Sequence, residues 1–224
     1  MPTGGKIKLW SCVCIMKKIK NIFFDFGRTI VEHPADEAGR RIIKNAGVIA
    51  EEDVYFLQKE VFSGEKYLNI LDEDLMRWDE YLNKLINAVP ERLIDYALCI
   101  ANYRLNQLPL IEGMEELLKK LKQDGFKLYI TSNLDKYHSE QLKNSSIAVY
   151  FEDMAFSSHL KVRKPYDDFF VKACEKFGVS ANECLLIDDL KENIEGAKKC
   201  GLQGYIFDGN VKKAEEFIYN CFSH

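Results

Sequence analysis

Four short polar clusters carry the residues of this chain that could do chemistry. Asp25 lies at the end of the apolar run Ile19 to Phe26. Ser132-Asn133 follows the run Lys127 to Ile130. Lys164-Pro165 precedes a helical stretch. Asp188-Asp189 follows the run Glu183 to Ile187. Taken singly, each has an ordinary explanation. A lone Asp is a turn former or helix cap, Ser-Asn is an N-cap, Lys-Pro is a solvated loop, and even Asp-Asp can be a cap. Taken together and in order, they suit one chemistry: phosphoryl transfer to water through an aspartyl phosphate. A carboxylate attacks, a hydroxyl and backbone N–H groups orient the phosphate oxygens, and a Lys supplies positive charge. Adjacent carboxylates repel by roughly 1 kcal/mol in water and by more where water is scarce. An acidic pair therefore invites a cation, and a hard one such as Mg²⁺ takes carboxylate, water and phosphate oxygens.

Such a set works only if something brings it together, and the hydrophobic pattern supplies that element. Ile19 to Phe26 is dense in β-branched and aromatic residues without alternation, as in a strand buried on both faces. Lys127 to Ile130 and Glu183 to Ile187 read the same way, and Met154 to Phe156 and Tyr205 to Phe207 are shorter candidates. Helices fall between them. Met114 to Gln123 puts Leu117, Leu118 and Leu121 on one face and stops at Gly125; Tyr166 to Phe177 stops at Gly178, and Lys191 to Cys200 at Gly201. Alternating strands and helices predict an α/β fold, a doubly wound Rossmann-like parallel sheet. In such a sheet ligands bind beyond the carboxyl ends of the strands, where the polar residues of this chain fall.

Residues 34–108 break the alternation. They are rich in Leu, Glu, Lys, Tyr and Asn, show no strand pattern, and read as a helical insertion. The expected organisation is an N-terminal extension at 1–15, an α/β core at 16–33 and 109–224, and a helical unit at 34–108. Met16 precedes Lys17-Lys18 and the first strand, and reads as an alternative natural start. The first 15 residues make a poor signal peptide, having no long apolar core.

Composition narrows the function further. The 224 residues are 47% hydrophobic and 29% charged, which excludes global disorder. A net charge of −4 leaves no basic excess for a nucleic-acid backbone, and no apolar run reaches the roughly 18 residues needed to span a bilayer. Neither a nucleic-acid nor a membrane partner is expected. The seven cysteines are irregularly spaced. Cys12-Val13-Cys14 has no second pair to complete a zinc site, so reduced thiols in a cytoplasmic protein are the expectation.

With these motifs in place, the chain resembles the haloacid dehalogenase superfamily, in its phosphatase branches. FFDFGRTIV is similar to the family's first motif, LYITSN to its second, VRKPYDDFF to its third and LLIDDLKENIEGAKKCG to its fourth. The insertion lies where that family places a helical cap. Within the family the motifs are most similar to those of glucose-1-phosphate phosphatases and of the phosphatase domain of epoxide hydrolases. The resemblance implies a Mg²⁺-dependent phosphatase acting on a small phosphorylated metabolite. It makes Asp25 the nucleophile, with Ser132 and the Asn133 backbone on the phosphoryl group and Lys164 neutralising both. It gives the metal Asp25, the Gly27 carbonyl, Asp188 and Asp189, supported by Asn193. Arg28 is a candidate for substrate contact, or else a solvated loop residue.

The departure from that family is Gly27, where most of its phosphatases carry a second Asp as general acid and base. Such help is typically about 10²–10⁴-fold. Two other readings follow: a catalytically weakened phosphate- or metabolite-binding protein, and a 2-haloacid dehalogenase, against which the Asp188-Asp189 pair argues. His33 could supply a replacement base, but reads first as an ordinary surface His, and His138 and His159 offer less. Leu57 to Asn69 and Met76 to Tyr81 read as core and surface positions of helices rather than as cleft residues.

Overall fold

The computed structural model describes residues 19–62, 68–103 and 105–222. Residues 1–15, Met16, Cys12 and Cys14 lie outside the described residues, as do residues 63–67 of the Leu57 to Asn69 stretch. Five parallel strands form one sheet: β1 (Asn21–Phe24), β2 (Lys127–Ser132), β3 (Asp153–Phe156), β4 (Cys184–Asp188) and β5 (Gln203–Ile206). Their order across the sheet is β3-β2-β1-β4-β5, so β1 is central. Between β1 and β2, the described elements from residue 37 to residue 107 are all helical: α1 (Glu37–Asn45), α2 (Glu51–Leu57) running on into a π turn, α3 (Leu68–Asp72), α4 (Trp78–Ala88) and α5 (Ile94–Ala101), with short 3₁₀ turns. After them come α6 (Met114–Gln123), α7 (Lys136–Lys143), α8 (Ser157–Leu160), α9 (Asp167–Phe177), α10 (Lys191–Lys199) and α11 (Val211–Phe222).

Strand alternation divides the core into two layers. Ile22, Phe24, Leu128, Ile130, Leu185 and Ile187 face one side, against α6 and α11 and continuous with the helices between β1 and β2. Phe23, Tyr129, Leu186 and Cys184 face the other, against Phe169, Phe170 and Ala173 of α9 and Ile194 and Ala197 of α10. Burial on both faces is why these strands read as continuous apolar runs.

Several expected strand ends move: β2 runs on to Ser132, β3 starts at Asp153, and β5 spans Gln203–Ile206 rather than Tyr205 to Phe207. The first strand stops at Phe24 rather than Phe26, because the chain folds back there. Ile30 and Val31 both donate their N–H to the Phe26 carbonyl, and the last sheet bond of this strand runs from the Asp25 N–H to the Ile187 carbonyl (2.9 Å). The fourth strand begins one residue later and ends on Asp188, since Glu183 belongs to a 3₁₀ turn. Asp25 therefore lies just past the end of one strand, with Asp188 as the last residue of its neighbour. Gly196 of α10 allows a close approach: a Cβ there would come within 2.3 Å of the Pro165 carbonyl oxygen. That contact seats α10 against the loop that carries Lys164.

Candidate active site

Lys164 is the centre of the cluster. Its ammonium donates to Asp25 Oδ1 (2.7 Å), Asp188 Oδ2 (2.6 Å) and the Thr131 carbonyl (2.9 Å). Only 1% of Lys164 is exposed, and Asp188 is wholly buried. Burial works against the charge of the ammonium, but Asp188 and Asp25 outweigh it and push its pKa up to about 12. The loop holding Lys164 is fixed by Asn133, whose side chain accepts from the Lys164 N–H (2.8 Å) and donates to its carbonyl (3.0 Å). So Asn133 acts on Lys164 through its side chain.

Asp188 is held in place by neighbours. Besides Lys164 it accepts from the Leu190 N–H (2.9 Å) and from Asn193 Nδ2 at both oxygens (2.9 and 3.0 Å). Asn193 therefore supports the acidic pair by holding Asp188. Asp25, Asp188 and Asp189 each offer an oxygen, and the three atoms lie within 4.8 Å of one another. Burial pushes the Asp25 carboxyl up to about 7; Lys164 opposes that rise, and Asp188 and Asp189 add to it. Burial, and then Asp188, also raise Asp189. One buried ammonium does not balance three converging carboxylates. Their hard oxygens suit a divalent cation of the Mg²⁺ kind, and its charge would relieve the penalty that raises Asp25 and Asp189.

Ser132 is buried at the end of β2 and lines the same cavity, and its hydroxyl has no hydrogen bond among the described residues. Arg28 sits in the left-handed region (φ 55°) and makes a two-pronged pair with Asp36 (2.7 and 2.9 Å). It borders the cavity, but its guanidinium is committed to Asp36.

Gly27 is half-buried, and the space beside it is taken. A Cβ at Gly27 would come within 2.7 Å of His33 Cδ2. His33 is therefore a cavity residue, contrary to its reading as an ordinary surface histidine. The fold-back at Phe26 brings it there. Its Nδ1 accepts the Ala35 N–H (3.1 Å), which leaves Nε2 to carry the proton of the neutral ring. Burial, then the nearby Arg28 charge, lower its pKa to about 4. At neutral pH it is a hydrogen-bond donor and not a cation.

The cavity has a volume of about 260 Å³ and continues from these residues toward the helices between β1 and β2. There Phe62, Trp78, Tyr81 and Tyr103 line it, with Asp72, Asp135, His138 and Arg163 among the polar groups. Trp78 and Tyr81, expected as ordinary helix positions, thus face the cleft. Helical spacing shows which residues share a face but not what that face meets. Asp135 and His138, three apart after Asn133, carried a local signal that sequence reading missed: Asp135 caps α7 through the His138 N–H (3.0 Å) and also binds the ring of the same residue.

The model of the haloacid dehalogenase-like hydrolases matches residues 22–206. The chain belongs to this family. Among curated haloacid dehalogenase-like relatives, the N-acylneuraminate-9-phosphatase of Rattus norvegicus is 22% identical over 86% of this chain and 83% of its own length. The glyceraldehyde 3-phosphate phosphatase of Pyrococcus abyssi is 29% identical over 83% and 79%. A haloacid dehalogenase family enzyme of Bacteroides thetaiotaomicron, solved with magnesium and inorganic phosphate, shares the fold with a TM-score of 0.66 at 21% identity, over 89% of this chain and 99% of that one. The L-2-haloacid dehalogenase of Xanthobacter autotrophicus also shares it, with a TM-score of 0.59 at 18% identity over 83% and 76%. Fold therefore does not separate phosphate ester from haloacid; the site residues must. Among the described residues, no helix is long and apolar enough to cross a membrane.

Proposed function

We propose that the chain is a phosphatase that hydrolyses small phosphate monoesters through an aspartyl phosphate on Asp25. One observation carries this reading: Asp25, Asp188 and Asp189 converge on one point while a single buried Lys164 bridges the first two. The phosphatase relatives support it, and the second and third carboxylates weigh against haloacid chemistry, which needs no cation.

The roles follow from what each atom has left to offer. Lys164 holds Oδ1 of Asp25, so Oδ2 is the oxygen free to attack phosphorus. Its lone pair forms the new P–O bond as the ester P–O bond breaks, and the leaving oxygen keeps that electron pair. Water then attacks phosphorus, the Asp25–phosphorus linkage breaks, and the carboxylate is restored with release of inorganic phosphate. The unpartnered Ser132 hydroxyl donates to a phosphate oxygen, and the Lys164 ammonium offsets negative charge on nucleophile and phosphate. Asp25, Asp189, Asp188 and the Gly27 carbonyl would hold Mg²⁺, which supplies charge screening between carboxylate and phosphate. Arg28, paired with Asp36, is assigned a loop-fixing role rather than a phosphate contact.

Gly27 sets the limit on this chemistry. No carboxylate stands at that position to protonate the leaving group, and the neutral His33 ring beside it offers a hydrogen bond instead of a full proton. Esters with acidic leaving groups are therefore the favoured substrates. The test is hydrolysis of an activated aryl phosphate with Mg²⁺, with EDTA, and with Asp25→Asn. Turnover that needs both Mg²⁺ and Asp25 is expected. Turnover in Asp25→Asn at the wild-type rate would end the reading, and none in folded wild-type protein would favour a phosphate-binding protein weakened at Gly27.

A further inference from the structure

The side of the cavity away from the strand ends has aromatic and aliphatic walls and a few polar groups, Asp72, Asp135, His138 and Arg163. Asp72, the last residue of α3, lines it and has no hydrogen bond to its carboxylate among the described residues. Burial, followed by the charge of Asp135, pushes its pKa up to about 8, with Arg163 pulling the other way. His138 is 4% exposed and also lines the cavity. The Asp135 carboxylate, 2.7 Å from His138 Nδ1, can only accept, so Nδ1 carries the ring proton. In the neutral ring Nε2 is then a lone-pair acceptor, and this buried atom has no partner among the described residues. Around it Tyr103 lies 4.5 Å from the His138 ring and Trp78 5.4 Å away, and both Trp78 and Tyr81 border the same space.

A ligand that satisfies all of these groups must donate hydrogen bonds, carry positive charge and tolerate aromatic faces. A protonated amine does each of these: its N–H groups meet Asp72 and His138 Nε2, and its charge is attracted to the ring faces. A sugar hydroxyl would meet the acceptors but would not favour the ionised form of Asp72, whose pKa is raised, as a cation does.

We propose that Asp72, His138 and the rings of Trp78, Tyr81 and Tyr103 form a subsite for a protonated amine, so that the preferred substrate is a small phosphate monoester carrying an ammonium group. This rests on the phosphatase reading, which places the phosphate at Asp25 and Lys164, and adds what occupies the rest of the cavity. Arg163 is the competing feature. It borders the same space, and its buried Nε has no partner among the described residues, so a carboxylate-bearing ester is the alternative outcome.

The test compares ω-aminoalkyl phosphates of increasing chain length with ω-hydroxyalkyl and ω-carboxyalkyl phosphates of the same lengths. At the best length, kcat/KM for the amine should exceed that for the hydroxyl by about tenfold or more, since a cation meeting a half-buried carboxylate and aromatic faces is worth upward of about one such factor. Asp72→Asn should bring the ratio toward unity, and Trp78→Leu should lower it. Hydroxyl or carboxyl esters matching the amine at every length would overturn the proposal, as would an unchanged ratio in Asp72→Asn. Aryl phosphate turnover, run in parallel, reports separately on the phosphatase reading. If that fails, calorimetric titration with alkylammonium ions still decides: binding weakened by Asp72→Asn supports the subsite, and no binding to the wild type removes it.

Discussion

The strand-end side of the cavity and the side lined by the inserted helices are finished to different degrees. At the strand ends the two groups that tie the cluster together, Lys164 and Asp188, already have protein partners. Lys164 makes three hydrogen bonds, and Asp188 accepts from Lys164, Leu190 and Asn193. On the far side, His138 Nε2 and Arg163 Nε lack partners among the described residues, and no hydrogen bond holds the Asp72 carboxylate there. The first is preorganised: groups that must stabilise charge in a reaction are fixed beforehand and need no rearrangement. The second has unmet polar groups that cost free energy until a ligand meets them. On the proposed reading the strand ends carry the chemistry and the far side of the cavity carries discrimination.

Breaking the finished side should have the largest effect. Lys164→Met leaves Asp25 and Asp188 buried and uncompensated, and removing one partner of a buried pair costs about 3–5 kcal/mol. Urea denaturation should show that loss, and aryl phosphate turnover should vanish. The restored-acid experiment comes next. Gly27→Asp alone should not raise activity, since its Cβ meets the His33 ring. Gly27→Asp with His33→Ala clears the space, and should raise hydrolysis of alkyl phosphates by at least about tenfold, part of the range general acid–base catalysis supplies. An equal gain in the single variant would show that His33 moves freely. Asn193→Ala removes both side-chain bonds to Asp188 and should cost about 1–3 kcal/mol, read from the same denaturation curves.

The smallest effect sharpens the unfinished side. Asp72 has a folded pKa of about 8, against an ordinary value of 3.8, so between those values the folded state binds the proton more tightly than the unfolded chain. Its contribution is fully present below about pH 4 and is lost as pH rises toward 8. Asp72→Asn escapes that loss. Its Tm should therefore gain on the wild type between pH 5 and 9 by about 2–4 °C per kcal/mol of restored stability. A constant difference across that range would show that Asp72 is already compensated.

The catalytic side was legible in the sequence because strand ends are short-range facts. Asp25, Ser132, Lys164 and Asp188-Asp189 lie next to apolar runs whose parallel pairing follows from the alternation of strands and helices, and the sheet then brings residues 25, 164 and 188 together. The strand boundaries were less so, since the fold-back at Phe26 depends on backbone bonds that composition does not reveal. The helical side was not legible. Asp72 and Trp78 come from α3 and α4, Tyr103 from the loop after α5, and Asp135, His138 and Arg163 from the core. Nothing in their spacing states that they share a cavity. His33 was visible as a residue, but its seat against Gly27 depends on tertiary packing.

Acid quenching during turnover tests the central claim most directly. Wild-type protein is mixed with Mg²⁺ and an aryl phosphate, stopped in acid, digested and weighed by mass spectrometry. The peptide containing Asp25 should gain the mass of one phosphoryl group, and the gain should be absent without Mg²⁺ and in Asp25→Asn. A phosphoryl group on a different residue, or sustained turnover with no labelled peptide, would contradict Asp25 as the nucleophile.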